Sequence, residues 1–295
     1  MDSAPGDNDR TGLAGRVAGS DAERRAALGL RERLLADGRA QIDVEPFRFH
    51  QRWALAQALA AGLAVVGSVV SVSSAIPGIA LVALAATSSI LEATGAAQLL
   101  ARLTGTRASQ NVSSPPARGT GAGLLVLAAS YDAPRATAFA RLADRVRDPW
   151  LVLGAALLAV LACCMARLVG VEGDALTAVQ LIPTLLLLAA VPLLVDVELS
   201  PIGDGAGEAA GIEIALALAQ QLDAELEQLD VWLVLTGAGG ALGAGMRLWR
   251  RRHRGEQNAR PTVTIEVGAP EPDEAGELRE GYADLARRLD ARLGR

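Results

Sequence analysis

The side chains able to do chemistry in this chain are few and scattered. Its two histidines are His50 and His253. Its two cysteines, Cys163 and Cys164, are neighbours inside an apolar run. Neighbours on a helix point in different directions, so this pair predicts no disulfide and no Cys-based metal site. His50 closes Phe-Arg-Phe-His just before an apolar stretch and is expected at an interface or in packing. His253 lies in the basic run 250–254 (RRRHR). That run reads as the solvated end of a helix, where cations suit the dipole. Contact with anionic lipid, at about 1 kcal/mol per nearby arginine, is the second reading. The stretch 237–245 (GAGGALGAG) partly matches a dinucleotide-binding loop, but no acidic partner follows a second strand convincingly. Glu92 interrupts an apolar run near its end, where it is expected to reach the headgroup level.

The elements that must position these residues fall into two kinds. Hydrophobic residues make up 51% of the 295-residue chain and charged residues 21%, a combination that implies segregation into apolar runs and polar segments. The net charge is −5, and no segment is basic enough to suggest a nucleic-acid partner. Every basic residue is arginine. With so much alanine, this points to coding bias rather than function. Residues 1–19, rich in Gly, Asp and Ser, are expected to be disordered, and residues 1–40, polar and charged, lack the apolar core of a signal peptide. Ser20 or Asp21 caps a predicted helix ended by Gly38. Strands are predicted at 40–47, 109–113, 124–129, 230–235 and 262–267. Helices are predicted at 208–222, 241–252 and 276–293, and an amphipathic one is built on Phe139, Leu142 and Val146. Alternating strands and helices predict an α/β sandwich with a largely parallel sheet.

Four apolar runs break this pattern: 54–72, 79–100, 151–169 and 178–195. Each approaches the roughly 20 residues that a membrane helix needs. They pair as two hairpins, over 53–100 and 150–196, with a turn at 73–78 containing Pro77 and an acidic turn containing Glu172 and Asp174. Pro183 and Pro192 are expected to kink the last helix. Gly62, Gly67 and Ser68 suit close helix packing. Arg48, Arg52, Arg102, Arg107, Arg141, Arg145 and Arg147 flank the hairpin bases, whereas Arg167 alone lies at a far end. The positive-inside rule then puts both termini and the middle segment in the cytoplasm, with Trp53 and Trp150 at that interface. The lipid bilayer is thus a predicted partner. The discontinuous soluble domain is expected from 20–52, 101–149 and 197–295.

Four soluble stretches carry a resemblance. SQNV (109–112), LLVLAASYDAP (124–134), SPIGDGAGEAAGIEIALALAQQL (200–222) and DVWLVLTGAGGALGAG (230–245) resemble successive blocks of the M28 family of zinc aminopeptidases. The resemblance implies a three-layer α/β/α fold, interrupted here by the two membrane hairpins. It also implies which positions should hold two zinc ions. Zinc takes His nitrogen and carboxylate oxygen, and a water on the metals needs a nearby base. The family's first His corresponds to Ser130, with Asp132 surviving behind it. Its bridging Asp falls on Gly207, with Asp204 close by. Its Glu pair, the base and a ligand, falls on Gly239 and Gly240. A strand-end Asp corresponds to Glu266. No histidine follows His253 to supply the last ligand.

With so few ligands left, the resemblance implies a catalytically dead, membrane-anchored peptidase-like domain without a cofactor. Its old cleft would serve a protein or peptide partner of unknown identity, because sites are grafted on folds and can be lost from them. The alternatives are an active zinc aminopeptidase with shifted ligands such as Asp204 and Glu266, beside the remnant Asp132, and a transport component using Glu92.

Overall fold

A computed structural model describes residues 16–138, 149–270 and 273–294. The amphipathic helix expected around Phe139, Leu142 and Val146 lies outside the described residues, as does most of the expected disordered N-terminus. Contacts divide the chain into two units. One comprises Met1–Phe49, Arg107–Pro134 and Ile202–Arg295; the other comprises His50–Thr106 and Arg135–Pro201.

The first unit is built on a five-stranded mixed sheet. Its strands are β1 (Asp43–His50), β2 (Thr106–Ser114), β3 (Gly123–Ser130), β4 (Leu229–Thr236) and β5 (Thr262–Val267), in the order β1-β2-β4-β3-β5. β3 runs parallel to both β4 and β5, whereas β2 is antiparallel to β4. The expected largely parallel sheet is therefore mixed. β3 and β4 are almost wholly buried, as near-continuous apolar runs covered on both faces should be.

Helix α1 (Asp21–Ala36) starts where Ser20 Oγ accepts the amide of Glu23 at 3.1 Å. It ends at Gly38, whose φ of 83° admits a left-handed turn. Ala26, Ala27, Leu30 and Leu34 bury one stripe of α1 against the sheet core. That core also takes side chains from α6 (Ala206–Glu225) and α9 (Ala275–Leu293). Met246 and Trp249 of α7 (Ala244–Arg252) belong to a separate cluster with Val126, Ala128, Trp232 and Val234. The short α8 (Arg254–Ala259) follows α7.

The second unit holds α2 (Trp53–Ser73), α3 (Ala75–Thr94), α4 (Pro149–Leu168) and α5 (Asp174–Leu199). All four are long and apolar enough to cross a membrane. The expected 73–78 turn is reduced to Ser74, and Pro77 sits in the first turn of α3. Proline fits there because first-turn amides lack helical partners anyway. α2 and α3 approach closely at two glycines. A Cβ on Gly78 would lie 2.5 Å from Ser71 Cβ, and one on Gly67 would lie 2.8 Å from Val82 Cγ2. Gly62 meets nothing within 4 Å and takes no part in this approach. α5 runs from Asp174 to Leu199 through Pro183 and Pro192. Cys163 and Cys164 are buried and free.

Candidate functional site

The carboxyl ends of parallel strands are where an open α/β sheet receives ligands. Here β3 ends at Ser130 and β4 at Thr236, and both chains turn into loops that meet. Ser130 Oγ donates to Asp132 Oδ1 at 2.7 Å. The same oxygen accepts the Gly239 amide at 2.6 Å, and Oδ2 accepts the Gly240 amide at 3.1 Å. Asp132 is only 3% exposed. Two successive amides cradling an anion form a nest, and this nest is filled by the chain's own carboxylate.

Glu23 completes the clamp on this loop. It accepts the Ala238 amide (3.1 Å), the Ser109 hydroxyl (2.8 Å) and the Gly19 amide (2.6 Å). Burial pushes its pKa up, against these bonds. Three consecutive amides, at 238, 239 and 240, are thus held by two buried carboxylates. The loop they hold is unusual in its backbone: Ala238 and Leu242 have φ of 51° and 56°, values that non-glycine residues seldom adopt. Asn111 braces its far side, accepting the Gly237 amide at 3.2 Å and donating to the Gly245 carbonyl at 3.0 Å. Tyr131, buried, donates to the Gln110 carbonyl, and burial raises its pKa.

Space requires glycine at two of the three positions, 207 and 239. A Cβ on Gly239 would fall 1.9 Å from Ser130 Oγ, so a glutamate side chain has no room there without rebuilding the loop. Gly240 is less confined, its Cβ position lying 3.5 Å from Asp132 Oδ2. A Cβ on Gly207 would meet Ala269 Cβ at 2.9 Å. The 237–245 stretch therefore follows a strand and precedes a helix, as a dinucleotide loop would, but its leading amides are spent on Glu23, Asp132 and Asn111.

The remaining sequence-predicted residues do not converge on Asp132. Asp204 Oδ1 accepts the Ala206 amide at 3.1 Å, a local turn bond just ahead of α6. Glu266 pairs with Arg250 at 2.7 Å, and its side chain is 60% exposed. Its neighbours Ile265 and Val267 face the core shared by α1, α6 and α9, so Glu266 points to the opposite face. Among the described residues, no group of three or more His, Cys, Asp or Glu side chains is placed to hold a metal ion. Gly207, Gly239 and Gly240 offer no side-chain donor, and both Asp132 oxygens are engaged.

Three charged residues at this crevice, Arg16, Glu23 and Glu208, were not singled out from the sequence. Arg16, from the stretch expected to be disordered, is fully buried, and its Nη2 donates to the Gly205 carbonyl at 3.4 Å. Glu208, in the first turn of α6, has its pKa raised, mainly by burial. Glu23 had a signal: Ser20-Asp21-Ala22-Glu23 is the Ser-x-x-Glu pattern of a capping box. Arg16 had none.

His253 packs against both Trp232 and Trp249, with ring centroids 4.8 and 5.1 Å away, and its Nε2 is 2.7 Å from Glu45 Oε1. Arg252 pairs with the same carboxylate at 2.8 Å. Three members of the basic run, Arg250, Arg252 and His253, therefore bind acids of their own unit. A separate open cleft of about 340 Å³ is lined by Asp37, Arg39, Gln41, Ser114, Pro115 and Asp223. Arg39 is already paired with Asp223 there.

In the helical unit, Glu92 is buried and does not reach outward as expected. It accepts Gln57 Nε2 (3.0 Å), Ser88 Oγ (3.2 Å) and the Ala101 amide (2.9 Å). The last bond caps a short 3-10 turn at Leu100–Leu103. A second polar cluster joins Ser68, Ser71, Gln180 and Thr184, with Arg167 Nε donating to Gln180 at 3.0 Å. Ala60, Ala61, Ala64, Val82 and Leu157 form an apolar core in the same unit.

No family model, no curated protein and no solved structure matches this chain.

Proposed function

We propose that this chain is an integral membrane protein whose four apolar helices anchor a peptidase-like domain that has lost its zinc site. In this reading the domain is a non-catalytic member of the M28 fold, with the hairpins inserted between its blocks. It serves as a binding or scaffolding module for a protein or peptide on the cytoplasmic face. The observation that carries the reading is the state of Asp132. Its carboxylate holds the Gly239 and Gly240 amides at 2.6 and 3.1 Å, at the two positions where the resemblance puts a base and a ligand. A glycine cannot take a proton from water, so the general base is missing. Helices on both faces of the sheet support the layering that the resemblance implies, and the arginines at the hairpin bases support the orientation.

Aminopeptidase assay of the detergent-purified full chain, with zinc supplied, tests the loss of activity. The expected turnover of aminoacyl amides equals that of Asp132→Ala. Turnover that Asp132→Ala abolishes would overturn the reading. Labelling of single cysteines introduced at exposed sites in sealed vesicles tests the orientation. Cysteines at 117 and 256 are expected to react from the cytoplasmic side, and one at 172 from the other side.

A further inference from the structure

The turn between α4 and α5 presents a cation held from behind. Arg167 lies in the last turn of α4, where the helix dipole favours a positive charge. Its Nε donates to Gln180 Oε1 at 3.0 Å and its Nη2 to Thr177 Oγ1 at 2.9 Å. Gln180 is itself held: its Nε2 donates to the Ser68 carbonyl, Ser68 Oγ and Ser71 Oγ at 2.9, 2.8 and 3.0 Å. This network ties α2, α4 and α5 together and sets the direction of the guanidinium. Both of its acceptors are neutral, and among the described residues no carboxylate pairs with Arg167. Nη1 has no hydrogen-bond partner among them and is not buried. The network therefore engages Nε and one side of Nη2 and leaves the rest of the fork open.

Two observations indicate what the open fork meets. The first is depth. From Trp150 to Arg167 the helix rises about 26 Å at roughly 1.5 Å per residue, close to the roughly 30 Å of a hydrocarbon core. Trp150 packs against Trp53, with ring centroids 5.5 Å apart, as an interfacial pair would. Arg167 therefore falls at the headgroup level of the opposite leaflet, where phosphates lie. The second is the surface around it. Leu168, Val169 and Val171 are exposed, which suits acyl chains better than water. A planar guanidinium with adjacent free donors matches the oxygens of a phosphate. We propose that Arg167 is a site for the phosphate of a phospholipid headgroup in the leaflet opposite the Trp53–Trp150 pair. Gln180 and Thr177 aim the fork, and the lipid supplies the anion. The inference rests on the reading of the four helices as membrane spans, and not on which face is cytoplasmic.

The test uses the full chain in a maltoside detergent, which carries no phosphate. Glu172 and Asp174, exposed in the same turn, oppose a headgroup of net negative charge, so the probe is zwitterionic dioleoylphosphatidylethanolamine. It is expected to raise the unfolding midpoint of the wild type by about 3 °C or more. Dioleoylglycerol, with the same tails and no phosphate, is expected to give no such rise. Arg167→Gln is expected to lose most of the rise. No rise in the wild type, a rise matched by dioleoylglycerol, or a full rise in Arg167→Gln overturns the proposal. Inorganic phosphate at about 10 mM is expected to leave the midpoint unchanged; a rise equal to that with the lipid would make a free anion the occupant and overturn it too. If Arg167→Gln does not fold, Arg167→Lys takes its place. It keeps the charge without the planar fork and is expected to show less than about half of the rise, and a full rise refutes the site. Washing membranes that contain the chain at high pH separates this inference from the reading beneath it. A chain retained in the membranes but indifferent to the headgroup overturns this inference alone, whereas a chain released by the wash overturns the membrane-spanning reading as well.

Discussion

The two units of this chain are dressed in opposite ways. In the sheet unit, Leu125, Leu127, Leu218 and Leu233 are fully buried, while arginines and carboxylates such as Arg250, Glu266, Arg287 and Glu225 face outward. In the helical unit, Val69, Ile76, Leu151, Ile182 and Leu188 are exposed, and Gln57, Ser88, Glu92 and Gln180 are buried. Such an inversion suits hydrocarbon solvent outside and hydrogen-bonded polar residues inside. Each unit buries a carboxylate, and each carboxylate accepts three hydrogen bonds. The donors differ: Asp132 is held by two backbone amides of one loop and the Ser130 hydroxyl, Glu92 by two rotatable side chains and one amide. Burial of an acid is therefore not by itself the mark of a site. Rigid donors distinguish the crevice from the helix contact.

The largest expected effect breaks the crevice. Gly239→Glu must displace Ser130 and bring a second carboxylate to Asp132, which should cost about 3 kcal/mol or more. Gly240→Glu should cost clearly less, because its Cβ has room. Chemical denaturation of both variants checks the order, and equal losses would mean that the loop is looser than described.

The next sharpens the contrast between the two acids. Asp132→Asn points an amide at fixed donors and should cost about 2 kcal/mol. Glu92→Gln meets side chains that can turn, and should cost about 1 kcal/mol or less. Thermal unfolding in one detergent compares them. A reversed order would say that Glu92 is the more constrained group.

Within the helical unit, Gly78→Ala should cost about 1–2 kcal/mol by forcing α2 and α3 apart. Gly62→Ala meets open space and should be neutral or stabilising by about 1 kcal/mol or less. Equal effects would contradict the close approach at Gly78.

The smallest effect concerns pH. Glu208 has a raised folded pKa, so its contribution is fully present below the unfolded value of about 4.3 and is lost as pH rises through the folded value. Glu208→Gln should therefore melt slightly above wild type at pH 7, with the difference closing towards pH 4. A constant difference across that range would rule out burial of the charged form as the cause.

Much of this architecture was legible because its signals are local. The apolar runs of β3 and β4, the Ser20 cap and Gly38 stop of α1, and four long apolar stretches each announce themselves locally. The antiparallel β2 was not legible, since direction depends on where the chain re-enters the sheet. Pro77 misled because proline serves in a first helical turn as well as in a loop. At the crevice, the glycines at 207, 239 and 240 and Asp132 were marked out by the resemblance alone. That Asp132 would turn inward onto the loop amides did not, because the bond needs a backbone conformation that residue types do not encode. Arg16 was hidden most completely. It lies in a Gly- and Ala-rich stretch without periodicity, and its neighbours come from the loop after β3 and the start of α6, more than a hundred positions away.

The most direct test of the account is the zinc content of the purified full chain by elemental mass spectrometry. Less than about 0.1 zinc per chain after dialysis is predicted, because a complete ligand set is needed to retain the ion. Near-stoichiometric zinc that survives dialysis and falls with Asp132→Ala would contradict it, and would show that Asp132 leaves the glycine loop to hold a metal.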